Sequence, residues 1–143
     1  MDLMTAMKIS SSGMSLQRTR MNVISSNLAN INTTRTPEGG PYQKKMVVAS
    51  AVPVAEGGFG QALDGAIREA QVVEIKSDKS QPKMVFDPSH PDADENGYVA
   101  MPNVNVMEEM LDMVNASRSF EANATAVNTA KTMAQRALEI GQR

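Results

Sequence analysis

The residues of this chain whose types and spacing could do chemistry are concentrated in the segment DPSHPDADENGYV, residues 87–99. The first half of a calcium-binding EF-hand loop, D-x-D-x-N-G, is matched by Asp92, Asp94, Asn96 and Gly97. Such a loop needs a bidentate Glu at its twelfth position, where this chain has Asn103, and three nearby prolines oppose the flanking helices. We therefore predict an acidic turn and no metal or cofactor, and keep a calcium-binding module at residues 92–103 as an alternative.

The rest of the sequence offers no catalytic set. The absence of Cys removes thiol nucleophiles, disulfides and zinc fingers, and a single His removes any His-rich metal site. No Ser lies in G-x-S-x-G, and no Walker loop or Rossmann fingerprint is present. Glu108 and Glu109 are adjacent, so on a helix they face different sides and cannot work as an acid/base pair. The sequence predicts that the protein is not an enzyme.

Length and charge exclude further classes. With 143 residues, 41% of them hydrophobic and 3% aromatic, the chain suits one domain or a small domain with extensions. A net charge of −2 lacks the basic excess of nucleic-acid-binding proteins. No run of 18 apolar residues occurs, which argues against a membrane span. The first ten residues lack the features of a cleaved signal peptide.

The distribution of proline divides the chain into three segments. All seven prolines lie between Pro37 and Pro102, and seven of the nine glycines fall in the same stretch. Proline and glycine break helices and form turns. We therefore expect an N-terminal helix within residues 1–36, a β-rich or irregular insert over 37–102, and a C-terminal helix within 103–143.

The N-terminal segment has an apolar stripe with heptad spacing. One set of positions holds Met7, Met14, Met21 and Leu28, and the intervening set holds Ser10, Gln17, Ile24 and Ile31. This spacing is typical of a coiled-coil seam. Fifteen of the first 36 residues are Ser, Thr or Asn, which are mediocre helix formers. We expect the segment to stay unordered until neighbours bury its stripe.

The C-terminal segment repeats the pattern. One set holds Val106, Met113, Phe120, Val127 and Ala134, and the other holds Met110, Ser117, Ala124, Lys131 and Leu138. The spacing predicts a helix over about 103–140, capped by Asn103 or Asn105 and ended by Gly141. At 1.5 Å per residue that helix is about 55 Å long, whereas a compact domain of this size is about 40 Å across.

Two such stripes cannot both be hidden in a compact monomer. They must pair with each other, and we expect them to pair with other chains as well, because exposed apolar stripes mark interaction surfaces. The alternative is a simple intramolecular hairpin with the insert at its tip. The predicted fold is mainly α, with two long terminal helices forming a coiled-coil-like hairpin and a small β insert. The predicted subunit-interface residues are Met7, Met14, Met21, Ile24, Leu28, Ile31, Met110, Met113, Phe120, Val127 and Leu138.

The insert has short strand candidates at residues 45–48, 72–76, 83–86 and 98–101. The glycine-rich stretch 55–65 between the first two predicts a flexible loop. The insert carries a net charge of −4 and the segment 1–36 carries +3, which modestly favours contact between them.

Two stretches resemble the terminal signatures shared by bacterial flagellar rod and hook proteins. They are SSGMSLQRTRMNVISSNLANINTTRT at 11–36 and NVNVMEEMLDMVNASRSFEANATAVNTAKTM at 103–133. The variant TTRTPEGGPYQKK at 33–45, with DPSHPDADENGYVAMPNVN at 87–105, resembles a proximal rod member of that family. The residues that carry the two motifs are Asn27, Ala29, Asn30, Glu109, Arg118, Glu121 and Asn123.

The resemblance implies a structural role. Members stack helically into the rod, the hollow drive shaft that crosses the periplasm and transmits torque from motor to hook, with both terminal helices in a coiled-coil core and the insert facing outward. It implies export without a cleaved signal peptide through the flagellar type III apparatus. The implied partners are further copies of the chain, other proximal rod proteins, the rod–motor junction protein and the distal rod protein. The chain departs from the family at Phe120, where Tyr is usual, and at Met14, where Leu is usual.

One alternative function shares the same stripes. A cytoplasmic coiled-coil adaptor would need the two seams but no export. Detection of the protein only in the cytosol, and never in basal bodies, would favour the adaptor.

Overall fold

The computed structural model describes residues 3–53 and 67–141. The predicted flexible loop at 55–65 lies outside the described residues. The elements in chain order are α1 (Leu3–Ala29), β1 (Lys45–Pro53), β2 (Arg68–Ser77), β3 (Lys83–Phe86), β4 (Tyr98–Met101) and α2 (Val106–Gly141). The prediction of a mainly α chain with a small β insert is confirmed.

Asn105 is the N-cap of α2. Its side-chain Oδ1 accepts a hydrogen bond from the amide of Met107 at 3.1 Å, and its carbonyl accepts one from the amide of Glu109 at 3.0 Å. Asn103, the other predicted cap, instead donates from its side chain to Ser80 Oγ at 3.0 Å. The 36 residues of α2 give a length of about 54 Å, against about 40 Å for the 27 residues of α1.

The two helices pack against each other in antiparallel orientation. Near the end of α1, Asn27 bonds to Glu109 at the start of α2. Halfway along, Gly13 lies against Asn123. At the other end, Leu3 and Ala130 line the same cleft. The end of α1 therefore lies beside the start of α2, and the start of α1 lies beside the later part of α2.

The buried face of α2 follows a heptad. The inward positions, alternately four and three residues apart, are Glu109, Met113, Ala116, Phe120, Asn123, Val127, Ala130 and Ala134. The predicted set from Met113 to Ala134 lies on this face. The second predicted set is displaced by one residue, and Met110 and Leu138 are 52% and 68% exposed. The second set was predicted one residue too late because apolar residues were expected at every inward position. Two of the inward positions hold polar residues, Glu109 and Asn123.

The insert forms two antiparallel two-stranded sheets, β1–β2 and β3–β4. Strands β3 and β4 have their predicted bounds and pair from Lys83↔Met101 to Phe86↔Tyr98. Strands β1 and β2 are longer than predicted, because pairing continues to Pro53↔Arg68 past an irregularity at Val48/Ala49. The added residues of β1 are small, so their sequence shows no alternation that would have indicated a strand.

The helix α1 is packed on two sides, by α2 and by the β1–β2 sheet. Ser12 Oγ accepts a hydrogen bond from the amide of Ala70 in β2 at 3.2 Å, and Lys8 pairs with Glu69 at 3.5 Å. Only a narrow stripe of α1 is exposed: Met4, Lys8, Ser11, Ser15, Arg18, Asn22, Ser25 and Ala29. Elements of its own chain thus supply the burial that this Ser- and Asn-rich helix needs.

Candidate functional site

Two polar side chains are almost completely buried where the end of α1 meets the start of α2. Asn27 is 1% exposed and Glu109 is 2% exposed. With Tyr42, Lys44 and the backbone of Lys45, they form a cluster that we call the polar junction. A buried carboxylate is costly unless it is paired and hydrogen-bonded, so the partners of Glu109 decide whether this arrangement is stable.

Both carboxylate oxygens of Glu109 have a partner. Lys44 Nζ lies 2.7 Å from Oε1. Asn27 Nδ2 donates to Oε2 at 3.0 Å. The buried charge is therefore neutralised on one side and hydrogen-bonded on the other.

The side chain of Asn27 also imitates a strand partner for the first residue of β1. Its Nδ2 donates to the carbonyl of Lys45, and its Oδ1 accepts from the amide of Lys45, both at 2.9 Å. The hydroxyl of Tyr42 donates to the same Oδ1 at 3.0 Å. One side chain thus joins α1, the following loop, β1 and α2.

The loop after α1 folds back to bring Tyr42 and Lys44 to this place. Asn30 closes the helix: its Nδ2 donates to the carbonyl of Ser26 at 2.9 Å, and its carbonyl accepts from the amide of Thr33 at 3.0 Å. The amide of Tyr42 then donates to the carbonyl of Thr33 at 3.0 Å. The reversal passes through Gly39 and Gly40, whose φ values of 93° and 77° favour glycine.

The electrostatics of the junction favour the charged form of Lys44. The hydrogen bond that Lys44 donates to Glu109 raises the pKa of Lys44 above its ordinary value of 10.5. Partial burial opposes the rise, and the charges of Glu109, Glu108 and Asp112 add to it. The arrangement holds a fixed ion pair between chain segments. Chemically it is suited to joining segments rather than to proton transfer, since each group is engaged by another part of the protein.

The middle of the helix pair is a close approach. A Cβ atom added at Gly13 would lie 3.0 Å from Asn123 Nδ2, so a side chain there would fit only if the side chain of Asn123 moved. Nearby, the guanidinium of Arg18 lies over the ring of Phe120 at 5.9 Å from its centroid. Sequence reasoning missed Arg18 and Gly13, and it also missed Lys44 and Tyr42 in the junction, because no local pattern links them to a distant partner.

The predicted interface residues fall into two groups. Among the six predicted in the N-terminal segment, Ile24 is buried, and the five half-buried ones are Met7, Met14, Met21 and Leu28 on α1 and Ile31 in the turn that follows it. On α2, Met113, Phe120 and Val127 are half-buried. The structure brings these nine residues to the inner faces of the chain and leaves Met110 and Leu138 on the outside.

Met110 and Leu138 belong to an exposed apolar set on α2, which we call the outer α2 surface. Its members are Met107, Met110, Leu111, Val114, Met133, Leu138 and Ile140, each between 47% and 77% exposed. They lie towards the two ends of the helix. At the far end they border an open cleft lined by Leu3, Ala6, Ala126 and Met133.

The remaining motif residues lie on the surface of the helices. Ala29, Arg118 and Glu121 are exposed. Over residues 3–53 and 67–141, ion pairs form between Lys8 and Glu69 and between Lys44 and Glu109, but not between Arg118 and Glu121. Within the same residues, neither helix is long and apolar enough to cross a membrane.

The acidic segment that resembles half of an EF-hand is folded as a turn. Asp94 Oδ1 accepts hydrogen bonds from the amides of Asn96 and Tyr98 at 2.9 and 2.8 Å. Asp92 Oδ2 accepts one from Thr34 Oγ1 at 2.8 Å. In the described part of the chain, no group of three or more acidic, His or Cys side chains is placed to hold a metal ion. These carboxylates instead shape the entry to β4 and tie it to the loop after α1.

Comparison with known proteins matches both helical ends. Residues 7–35 match the family model described as flagella basal body rod protein, and residues 95–140 match the one described as flagellar basal body rod FlgEFG protein C-terminal. The two matched regions contain most of α1 and nearly all of α2, including both halves of the polar junction that come from helices.

Relatives cover nearly the whole chain. A protein of Borreliella burgdorferi is 44% identical, and the alignment covers 99% of both chains. One from Bacillus subtilis is 42% identical over 96% of this chain and 97% of its own, and one from Salmonella typhimurium is 41% identical over 99% and 100%. Each is named flagellar basal-body rod protein FlgC. The chain belongs to this FlgC family of flagellar basal-body rod proteins, and it is a structural subunit of the rod rather than an enzyme.

Proposed function

We propose that this chain is a subunit of the proximal rod and polymerises through its terminal helices into the hollow shaft that transmits torque from motor to hook. The single observation that carries this proposal is the outer α2 surface, which the described parts of the chain leave uncovered. Soluble monomers rarely expose clusters of several large apolar side chains, and α2 exposes one such cluster towards each of its ends. A helix that packs on α1 and exposes large apolar side chains towards both of its ends is suited to contact a neighbouring subunit.

The composition of the outer α2 surface suits packing against similar but unequal neighbours. Methionine supplies three of its seven members, and its flexible side chain fills irregular contacts. The middle of the same helix carries small exposed residues, among them Ala122, Thr125, Ala126 and Thr129. Small residues let helices approach closely. A neighbouring helix would therefore contact the large apolar side chains at the two ends of α2 and pack close to its middle.

We propose a division of roles along the chain. The segments 1–36 and 103–143 make the axial contacts, with Met110 and Leu138 turned towards other subunits. The insert 37–102 then forms the outer surface of the shaft. This division is supported by the position of the β1–β2 sheet, which contacts α1 through Ser12 and Lys8 and leaves the outer α2 surface uncovered.

The proposal includes partners and a place. The neighbours would be further copies of this chain, other proximal rod proteins, the rod–motor junction protein and the distal rod protein. The rod would cross the periplasm, and the subunit would reach it through the flagellar type III export apparatus without a cleaved signal peptide.

Loss of the chain tests the location. Electron microscopy of basal bodies purified from a deletion strain of the source bacterium should show no complete rod, and expression of the full chain in that strain should restore it. Complete rods in the deletion strain would contradict the proposal.

Two exposed residues test the polymerising surface. We expect the double variant Met110→Ser, Leu138→Ser to abolish rods and swimming while its helical circular dichroism stays that of the unmodified chain. A matched control is Asn115→Ser, Asn128→Ser, which changes two exposed polar positions of the same helix and should leave swimming intact. Normal swimming by the first variant would show that the outer α2 surface is not a subunit contact.

A further inference from the structure

The contact between α1 and α2 is nearly repetitive along α2. Gly13 lies against Asn123, and the positions seven residues before and after it are Ala116 and Ala130. Both alanines are smaller than the Asn that Gly13 accommodates. A slip of α2 by one heptad would therefore meet no steric obstacle at the contact with Gly13.

The apolar positions between the two helices also tolerate a slip of one heptad. A slip of seven residues moves three of Met113, Phe120, Val127 and Ala134 into sites that another of the four occupies, and the end site receives Val106 or Gly141. No polar side chain enters any of the four sites. Apolar contact is not directional, and cores tolerate swaps of hydrophobic residues with modest losses. The apolar seam alone distinguishes the observed register from its neighbours only weakly.

The polar junction is not repetitive. A slip of one heptad would move Glu109 by about 10 Å along the axis. It would bring either Ala116 or Pro102, which lies before the helix begins, opposite Asn27. Asn27 Nδ2 and Lys44 Nζ would then lose their carboxylate partner, and a buried group without its partner costs far more than a displaced methyl group.

We propose that Glu109, held by Asn27 and Lys44, is the device that sets the register of α2 against α1. The apolar seam holds the helices together, and the buried ion pair selects one alignment among several of similar packing. A single polar group fixes register in the same way in coiled coils, at some cost in stability. This inference concerns the fold of one chain and stands whether or not the chain polymerises as proposed above.

The chain contains no Cys, so introduced cysteine pairs report register without interference. Gly13→Cys combined with Asn123→Cys reports the observed register. Combined instead with Ala116→Cys or Ala130→Cys, it reports a slip of one heptad in either direction. The three closed loops have similar lengths, so an unfolded chain would form all three disulfides with yields equal to within about 1.2-fold.

The experiment compares disulfide yields at equilibrium in a glutathione buffer, using the purified full-length chain in three backgrounds. The first is otherwise unmodified. The second carries Lys44→Met, Glu109→Leu, which replaces the buried pair by apolar residues of similar size and is expected to keep the helices folded. The third, a matched control, carries Lys8→Met, Glu69→Leu at the exposed ion pair of α1 and β2. Any strain from the Gly13→Cys substitution is common to all three backgrounds.

In the unmodified and control backgrounds, we expect the yield of the disulfide between positions 13 and 123 to exceed each of the other two yields by at least about tenfold. In the junction variant, we expect an excess of about threefold or less. The helical circular dichroism should be the same in all three. An unchanged ratio in the junction variant would overturn the proposal, as would equal yields in the unmodified chain. Should the junction variant lose its helices, Glu109→Gln decides: it keeps the size of the side chain and removes its charge, and an unchanged ratio there overturns the proposal.

Discussion

The two ends of the helix pair are built on opposite principles. At the junction end, a charged group and an amide are buried to 2% and 1% exposure and every partner comes from the same chain. At the open end, Leu138 and Ile140 are 68% and 77% exposed to solvent. Polar groups are buried where segments of the chain are joined to one another, and large apolar groups are exposed where no described part of the chain covers them.

This difference separates the residues that determine the fold of one chain from those that favour its association with a neighbour. A buried ion pair contributes little net stability but penalises every arrangement that separates it. Exposed apolar area contributes nothing to one chain, yet it favours association when a neighbour covers it. Substitutions in the polar junction should therefore alter the fold of the single chain, and substitutions on the outer α2 surface should alter only its assembly.

The largest effect on stability is expected from Lys44→Met. It leaves the buried carboxylate of Glu109 without its cation, and breaking a buried pair from one side costs about 3 kcal/mol of unfolding free energy, somewhat less here because Lys44 keeps partial contact with water. The matched control is Lys8→Met at the exposed pair with Glu69, which should cost less than about 0.5 kcal/mol. Urea denaturation of the full-length variants measures both, and equal losses would erase the distinction between the two pairs.

Next in size is Gly13→Leu, halfway between the two ends. Its side chain would enter the space of Asn123, and we expect a loss of about 1–3 kcal/mol of unfolding free energy from overpacking. Adding Asn123→Ala should restore part of that loss, because it empties the space. Gly141→Leu serves as the control, since nothing lies within 4 Å of a Cβ atom there. A loss at Gly13 that Asn123→Ala leaves untouched would show that close approach to Asn123 is not its cause.

A smaller effect is expected at high pH. The raised pKa of Lys44 means that its contribution to stability is fully present below pH 10.5 and is lost as the pH rises through the folded-state value. The unfolding free energy of the unmodified chain should therefore fall above pH 10.5 more steeply than that of Lys44→Met, by at most about 1.4 kcal/mol per pH unit. Parallel curves for the two proteins would show that the ion pair does not respond to pH as its geometry indicates.

The smallest effect on stability is expected at the open end. Leu138→Ser changes a residue that is 68% exposed, so the unfolding free energy should shift by less than about 0.5 kcal/mol. The urea midpoint of the purified chain checks this. A loss as large as that of Lys44→Met would mean that the open end is part of the core of the single chain, and the contrast between the two ends would fail.

Local patterns in the sequence predicted much of the fold. The proline-free ends and heptad spacing predicted both helices, and the short strand candidates at 83–86 and 98–101 have the bounds of β3 and β4. The same patterns stopped β1 too early, because its second half is made of small residues whose strand conformation depends on pairing with β2. They also placed Met110 inside the seam, where the structure has Glu109.

The candidate site was less accessible to such reasoning. The motif resemblance singled out Asn27 and Glu109 without a role, and nothing in the local sequence singled out Lys44 or Tyr42. Asn27 and Glu109 are 82 positions apart, and the bond between them depends on how a loop, a strand and two helices come together. Periodicity measures polarity along one element, so it carries no information about such a pair.

The sequence by itself determined that the chain has two long striped helices around a β insert, and that it has no thiol chemistry, because these properties depend on residue types and spacing alone. Only the tertiary structure decided which side of each stripe faces inward and which residues end up outside. The reason is physical: a buried carboxylate is stable only beside a cation and a donor, and those partners come from distant parts of the chain.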